Sequence, residues 1–190
     1  MGLQFTAGAR RFGVIAAVGT VLFSAAYLVP LVFGLLSLKS PQDPIGDPWF
    51  SMMEILIILV MPLMVALMVA VHAWASPESQ ALSLLAIVFM GLTAGVTCSL
   101  HFVILVLGHQ AAFAGQLWLP VFLAFKWPSV VYALDILAWD VFFPLSVLSA
   151  APVFTGSRIA VAIRVLMIVS GVLALAGLSG VLAGDMQLRM

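Results

Sequence analysis

The chain has 190 residues, of which 65% are hydrophobic and only 7% are charged. Because a soluble domain carries about 25% charged residues, this composition indicates an integral membrane protein. The basic residues and the acidic residues number 7 each, so no basic surface for nucleic acid is predicted. The single cysteine excludes an intramolecular disulfide.

Five segments are long and apolar enough to cross a bilayer, which takes about 20 helical residues. Helix breakers and charges fill three of the linkers, KSPQDPIGDP, SPESQ and FTGSR. We therefore predict an all-α fold, a single transmembrane domain over residues 1–190. Its five helices are expected near residues 12–38, 50–75, 81–108, 128–153 and 160–183.

The linker between the third and fourth helices differs from the others. Residues 109–127 are apolar and aromatic, but they are too short and too interrupted for a clear crossing. We expect an interfacial or re-entrant segment that acts as a lid. The alternative is a sixth, short crossing, which would invert the last two helices.

The basic residues indicate the orientation of the chain. Arg10, Arg11, Arg158 and Arg164 fall at the N-terminus and around the last loop, which five crossings place on one side. Since cytoplasmic loops are enriched in Lys and Arg, we predict a cytoplasmic N-terminus, in a bacterial cytoplasmic membrane. Lys126 is the exception and falls on the outer side.

Ionisable side chains at membrane depth are costly, and they therefore mark candidate functional sites. At 1.5 Å per residue, Glu54 lies about 6 Å below its helix end, and His101 and Asp135 lie about 10 Å below theirs. These three groups come from three helices and reach a similar depth in the outer leaflet. Asp140 lies deeper, about 18 Å down.

The faces of the helices refine this site. At about 100° per residue, Asp140 points about 140° away from Asp135, so the two are not predicted to form an adjacent dyad. On the third helix, Thr97 and Cys98 lie on the same side as His101. The fourth helix has one polar and aromatic stripe, formed by Pro128, Tyr132, Asp135, Trp139, Phe142 and Ser146.

A buried acid beside aromatic rings suits one kind of chemistry. A neutral carboxylic acid in an apolar pocket is a proton donor, and aromatic faces stabilise cations. This combination favours protonation of an alkene or epoxide in a lipophilic prenyl chain that enters from the bilayer, which is acid-initiated terpene cyclisation. No metal and no cofactor is predicted to take part, since protonation starts the reaction.

Each candidate residue also has a simpler interpretation. Asp135 could form a structural ion pair, His101 could be a hydrogen-bonded core histidine, and Glu54 could reach the interface. The same acids could also serve a proton-coupled small-molecule carrier or a lipid-binding protein, with Pro62 and Pro144 as helix breaks. A third interpretation is an accessory subunit of a membrane complex. The sequence leaves the oligomeric state open, including a homo-oligomer.

The segment ALDILAWDVFFPLSVLSAAPVF, with the arginine-bearing loop and the small-residue helix after it, resembles a group of small uncharacterised bacterial membrane proteins. Their matching helix has an Ala-Leu-Asp and ends in an Ala-Pro-Val-Phe type of boundary. The resemblance covers residues 128–180. Asp135 matches the group's pattern, whereas Asp140 departs from it.

The overall plan is also similar to the small membrane-integral terpene cyclases, of class II type, from meroterpenoid and indole-sesquiterpenoid pathways. Those enzymes use membrane-embedded acids, commonly a Glu early in the chain and an Asp later. The resemblance implies that Glu54 and either Asp135 or Asp140 fill these roles. The fungal enzymes are usually longer and have more helices.

We therefore predict a class II type cyclase that acts on a prenylated lipophile. Asp140 or Asp135 would donate the proton, and Glu54 would be its partner or the terminal base. His101 would support these acids. The remaining predicted substrate-binding residues, which would shape the pocket and stabilise the cation, are Tyr132, Trp139, Phe142, Trp118 and Met61.

Overall fold

The computed structural model describes residues 6–40, 43–108, 110–113, 115–184 and 186. Five of its helical spans are long and apolar enough to cross a membrane, which confirms the predicted all-α bundle. Four of these spans are α1 (Ala7–Leu36), α2 (Trp49–Trp74), α3 (Gln80–Leu107) and α7 (Arg158–Leu182), and the other is the composite span Val130–Val153.

The composite span, called the fourth span here, is built from several helical pieces. It begins with α5 (Val130–Ile136), continues through the π-helical turn Leu137–Phe142 into α6 (Phe143–Ala150), and ends in a 3₁₀ turn at Ala151–Val153. Hydroxyl caps start several helices. Ser129 Oγ accepts from the Tyr132 N–H at 3.1 Å.

Proline explains the irregular middle of the fourth span. Pro144 has no N–H to donate to the carbonyl of Asp140, and its ring would clash with that carbonyl in an α-helix. The chain adopts wider i→i+5 bonding instead, in which the Phe143 N–H donates to the Ala138 carbonyl, five residues earlier. The sequence predicted a break at Pro144, and the structure shows a π turn within a continuous span.

Pro62 has a different outcome, because α2 continues through it as an α-helix. The missing N–H of Pro62 frees the carbonyl of Ile58, one turn earlier. Cys98 Sγ on α3 lies 3.8 Å from that carbonyl oxygen and donates to it. A neighbouring helix thus satisfies the freed backbone group, as helices in lipid require.

Helices α2 and α3 are antiparallel and lie side by side, with side-chain contacts at both ends. At one end of the bundle, His72 Nδ1 lies 2.8 Å from Ser83 Oγ. At the other end, His101 Nδ1 lies 2.8 Å from Glu54 Oε2. This register fixes which residues of the two helices share a level.

Helix α1 packs along α2, and the fourth span packs between α3 and α7. Small residues allow the close approach of α1, since a Cβ added at Gly13 would lie 2.9 Å from the Ala70 Cβ. The fourth span is tied to α3 by Ser146, whose hydroxyl donates to the Ala86 carbonyl at 2.8 Å. A buried core of Met68, Ala86, Met90 and Ala150 fills the space between α2, α3 and α6.

The connection between α3 and the fourth span contains only short helical pieces among its described residues, a 3₁₀ turn at Ala111–Phe113 and the five-residue helix α4, Leu119–Leu123. Neither piece is long enough to cross a bilayer. The structure therefore favours five crossings over six. The re-entrant character of residues 109–127 stays a prediction.

Candidate functional site

The candidate site is centred on a buried pair formed by Glu54 and His101. The Nδ1 of His101 and Oε2 of Glu54 are 2.8 Å apart, which is hydrogen-bonding distance. Only 2% of the surface of Glu54 and 5% of that of His101 are exposed. The sequence predicted that both groups lie at membrane depth, and the structure brings them into direct contact.

The position of the pair follows from the two helices. Glu54 lies near the start of α2 and His101 near the end of α3, so the antiparallel register brings them to one level. At 1.5 Å per residue, both lie about 8 Å inside the ends of their helices. At this depth an unpaired carboxylate would be costly, and the imidazole partner reduces that cost.

One aromatic ring from the connection packs against the pair. The ring of Phe125 lies 5.5 Å from the ring of His101, centroid to centroid. Phe125 also makes an edge contact with Tyr132, again at 5.5 Å. The segment between α4 and α5 therefore contributes a ring that packs against His101, and the lid role of this segment stays a prediction.

Tyr27 on α1 completes this level of the site. Its half-buried phenol lies within electrostatic range of Glu54 and Asp135, so α1 borders the same region as α2 and the fourth span. Sequence reasoning missed Tyr27, which stands alone in an apolar helix. The rarity of tyrosine could have pointed to this residue, because the chain has only two tyrosines and both border this site.

A second level of polar side chains lies one turn deeper on α3. Thr97 is completely buried, and Cys98 is half-buried against α2. Ser146 of the fourth span contacts Ala86 of α3, and the two helices run antiparallel. Asp135 lies eleven residues before Ser146 and Thr97 lies eleven residues after Ala86, so the two side chains are at about the same level. The predicted grouping of Thr97, Cys98 and His101 on one side of α3 agrees with these positions.

The two aspartates differ in their burial. Asp135 on α5 is half-buried, whereas Asp140 in the π turn is only 8% exposed. The predicted angle of about 140° between them assumed an unbroken α-helix. In a π turn each residue advances the helix by less than 100°, so Asp140 turns back toward the face of Asp135. The π turn thus reduces the predicted angular separation.

The other predicted site residues are spread over a wider region. Met61 on α2 is completely buried in the core, Phe142 is half-buried in the π turn, and Trp139 packs against Phe143 at 5.3 Å. Trp118 is 42% exposed and packs against Phe113 and Phe122. Of the predicted aromatic residues, Tyr132 has the most direct link to the buried pair, through Phe125.

Another polar contact lies at the opposite end of the bundle. His72 Nδ1 lies 2.8 Å from Ser83 Oγ, and the Ser83 hydroxyl also lies 3.0 Å from the Gln80 carbonyl oxygen. Across the described ranges, no three His, Cys, Asp or Glu side chains are close enough together to hold a metal ion.

No protein-family model, curated protein sequence or solved structure matches this chain. The resemblances drawn from the sequence therefore stay predictions.

Proposed function

We propose that this chain is a membrane-embedded acid–base enzyme that cyclises a lipophilic prenylated substrate after protonating an alkene or epoxide. The observation that supports this proposal best is the 2.8 Å contact between Glu54 and His101, buried beneath Phe125. It differs from the sequence-based assignment, in which an aspartate donated the proton. Here the pair is the proton donor, and Asp135 and Asp140 are the alternative acids.

The pair is suited to holding a transferable proton inside a membrane. The pair has no net charge when it consists of a carboxylic acid and a neutral imidazole, or of a carboxylate and an imidazolium. Its burial is therefore not prohibitive in either state. Donating that proton to a C=C or epoxide oxygen leaves a carboxylate and a neutral imidazole. The resulting anion lies beside the new carbocation and stabilises it.

The catalytic cycle needs no other reagent. With an alkene, the substrate π electrons form the new C–H bond; with an epoxide, the oxygen takes the proton as its C–O bond breaks and becomes a hydroxyl. An internal alkene then closes a ring by attacking the cationic carbon. Loss of a proton from a neighbouring carbon returns that proton to the pair and forms the product alkene. The product is an isomer of the substrate, of unchanged mass.

The surroundings of the pair suit a carbocation. Phe125, Tyr132 and Tyr27 border the site, and aromatic faces attract cations. A prenyl chain would reach the site laterally from the lipid, because the bundle exposes apolar side chains to its surroundings. Phe125 and its connecting segment would separate the cation from water.

We further propose a bacterial cytoplasmic membrane with the N-terminus in the cytoplasm. Arg10 and Arg11 are in the first turn and a half of α1, and Arg158 begins α7. Five crossings place these helix starts on the same side, as the enrichment of cytoplasmic loops in Arg and Lys requires. The buried pair then lies in the outer leaflet.

Activity in membranes tests the proposal. Membranes containing the wild type, Glu54→Gln or His101→Gln are given farnesylated and epoxy-farnesylated aromatic compounds, and isomers are sought by chromatography and mass spectrometry. Because positioned acid–base groups contribute about 10²–10⁴-fold to rate, each variant should lose at least about 100-fold. Matched controls are Glu78→Gln and His72→Gln, which alter the other end of the bundle and should retain activity.

Two results would contradict this assignment. If Glu54→Gln and His101→Gln retain activity while Asp135→Asn or Asp140→Asn abolishes it, an aspartate is the acid. If no substrate gives an isomer although the wild type is folded, the cyclase proposal fails.

The alternative function is a proton-coupled carrier. It is favoured by the distribution of ionisable groups, since α2 and α3 have a polar pair at each end and Asp140 is buried between those levels. Proton flux into liposomes, measured with an entrapped pH-sensitive dye, distinguishes this function. A flux that requires Asp140 and a driving solute would support it, and an impermeable bundle would exclude it.

A further inference from the structure

The hydroxyl of Thr97 is the buried polar atom that the fold leaves unexplained. Thr97 is 0% exposed, and its Oγ1 has no hydrogen-bond partner among the described residues. A threonine inside a helix normally bonds the carbonyl one turn earlier. Thr20 does so to Ala16 at 2.8 Å, and Thr93 does so to Phe89 at 2.9 Å. Thr97 lacks this bond, although it lies on the same helix as Thr93.

The position of Thr97 places this hydroxyl where three spans meet. Its neighbour Cys98 faces α2, where it bonds the Ile58 carbonyl. Leu100, on the other side, packs with Val131 of α5. At about 100° per residue, the side chain of Thr97 points between these two directions. It lies one turn from His101, on the side of the pair that faces into the membrane.

We propose that Thr97 binds a neutral oxygen atom of the lipophilic ligand, such as a hydroxyl or ether oxygen. The inference rests on the proposed function, because it takes the ligand to be a prenyl chain lying against the pair. The ligand oxygen would lie about 5 Å along the helix axis from the carbon that His101 and Glu54 protonate, which is one helical turn. Thr97 would thereby set the position of the chain relative to the proton donor.

The chemistry of the neighbours favours a neutral oxygen over a charged head group. A phosphate or carboxylate binds to Arg, Lys or several N–H groups, whereas the polar groups next to Thr97 along α3 are the Cys98 thiol and the His101 imidazole, and the carboxyl of Asp135 lies at about the same level. The hydroxyl of Thr97 can both donate and accept. A ligand oxygen needs this single partner, whereas a buried water needs two to four. The thiol and the Nδ1 of the imidazole are already used by Ile58 and Glu54.

Binding of two probes of equal prenyl length tests this inference without turnover. Farnesol has one hydroxyl, and β-farnesene is a hydrocarbon. Apparent Kd values are measured by quenching of tryptophan fluorescence in lipid nanodiscs. Since one neutral hydrogen bond is equivalent to about a threefold to tenfold change in Kd, the wild type should prefer farnesol by that factor after correction for partitioning into empty nanodiscs.

Three variants identify the hydroxyl responsible. Thr97→Val has nearly the same shape and should lose the preference for farnesol, whereas Thr97→Ser should keep it. Thr93→Val is the matched control, because it removes a buried hydroxyl that is already bonded within α3, and it should keep the preference. Folding is checked by size-exclusion chromatography and the Tm. Without ligand, Thr97→Val should have a Tm at least equal to that of the wild type.

The outcomes separate this inference from the cyclase proposal. A preference for farnesol that Thr97→Val abolishes would support the inference even if no substrate is cyclised. A preference that survives in Thr97→Val, or a wild type that binds both probes equally, would overturn it. If Thr97→Val does not fold, loss of the preference in Thr97→Ala with retention in Thr97→Ser makes the same test.

Discussion

Replacing His101 with phenylalanine tests the energetics of the buried pair directly. The substitution keeps a ring beside Phe125 and removes the nitrogen that bonds Glu54. A buried ionised group left without its partner costs about 3–5 kcal/mol, so we expect the free energy of unfolding to fall by that amount. An ordinary hydrogen bond between membrane helices contributes about 0.6 kcal/mol on average. These two magnitudes distinguish a proton-sharing pair from an ordinary contact.

A double-mutant cycle isolates the contact from the effects of each substitution alone. Glu54→Leu leaves the imidazole of His101 without its partner and should cost about 1–3 kcal/mol, the penalty for an unmade buried hydrogen bond. The double variant Glu54→Leu/His101→Phe replaces both groups with apolar ones and should lie within about 1 kcal/mol of the wild type. The coupling energy between the two positions should therefore be about 3–9 kcal/mol.

The assay is reversible unfolding by SDS in mixed micelles, followed by circular dichroism and tryptophan fluorescence. The pair formed by His72 and Ser83 is a matched control, because its atoms are also 2.8 Å apart but the pair contains no carboxyl group. Its cycle, with His72→Phe and Ser83→Ala, should give about 0.6 kcal/mol. A coupling energy of about 1 kcal/mol or less between Glu54 and His101, similar to the control, would refute the reasoning that the pair shares a proton.

Two further predictions concern packing between helices and are measured by the same unfolding assay. Gly171→Ala would place a Cβ 2.6 Å from the Leu148 Cγ, and it should destabilise the bundle by about 1–3 kcal/mol, whereas Gly91→Ala meets nothing within 4 Å and should change stability by less than about 1 kcal/mol. An equal effect of the two would contradict the close approach of α6 and α7. Cys98→Ala should cost about 0.5–1.5 kcal/mol, because the carbonyl freed by Pro62 loses its donor. Cys98→Ser should cost less, because serine keeps a donor. In a Pro62→Ala background, the N–H of residue 62 can donate to the Ile58 carbonyl, so Cys98→Ala should cost little there. Equal costs of Cys98→Ala in both backgrounds would contradict this account.

Much of the fold could be predicted from the sequence, because length and hydropathy decide which segments cross a bilayer. The predicted helix ends lie within a few residues of the observed ones for α2 and α3, where Pro, Ser and charged residues mark the boundaries. The start of α1 was placed too late, at residue 12 rather than Ala7. The two arginines near its start suggested an interface, but a helix can continue through the head-group region with such residues exposed.

The depth of the site residues was also predictable, whereas their contacts were not. Neighbouring antiparallel helices share levels, so Glu54 and His101 were expected at a similar depth. Which side chains touch depends on how each helix is rotated, and helices with apolar residues on every face give a weak signal for that rotation. The fourth span adds a local change of twist at Asp140, and Tyr27 reaches the site from a helix that looks entirely lipid-facing in sequence.

The π turn at Leu137–Phe142 has a consequence for how the chain tolerates change in length. A π turn is equivalent to one residue inserted into an α-helix, and it shifts the angular phase of everything that follows. Deleting one residue from this turn would allow a regular α-helix, but it would rotate α5 relative to α6 by about 100°. The anchor at Ser146 would then keep its place while Tyr132 and Asp135 turned away from α3. The one additional residue in the π turn thus sets the rotation of α5 relative to the site. A one-residue deletion in this turn should therefore be far more damaging than one in the exposed linkers.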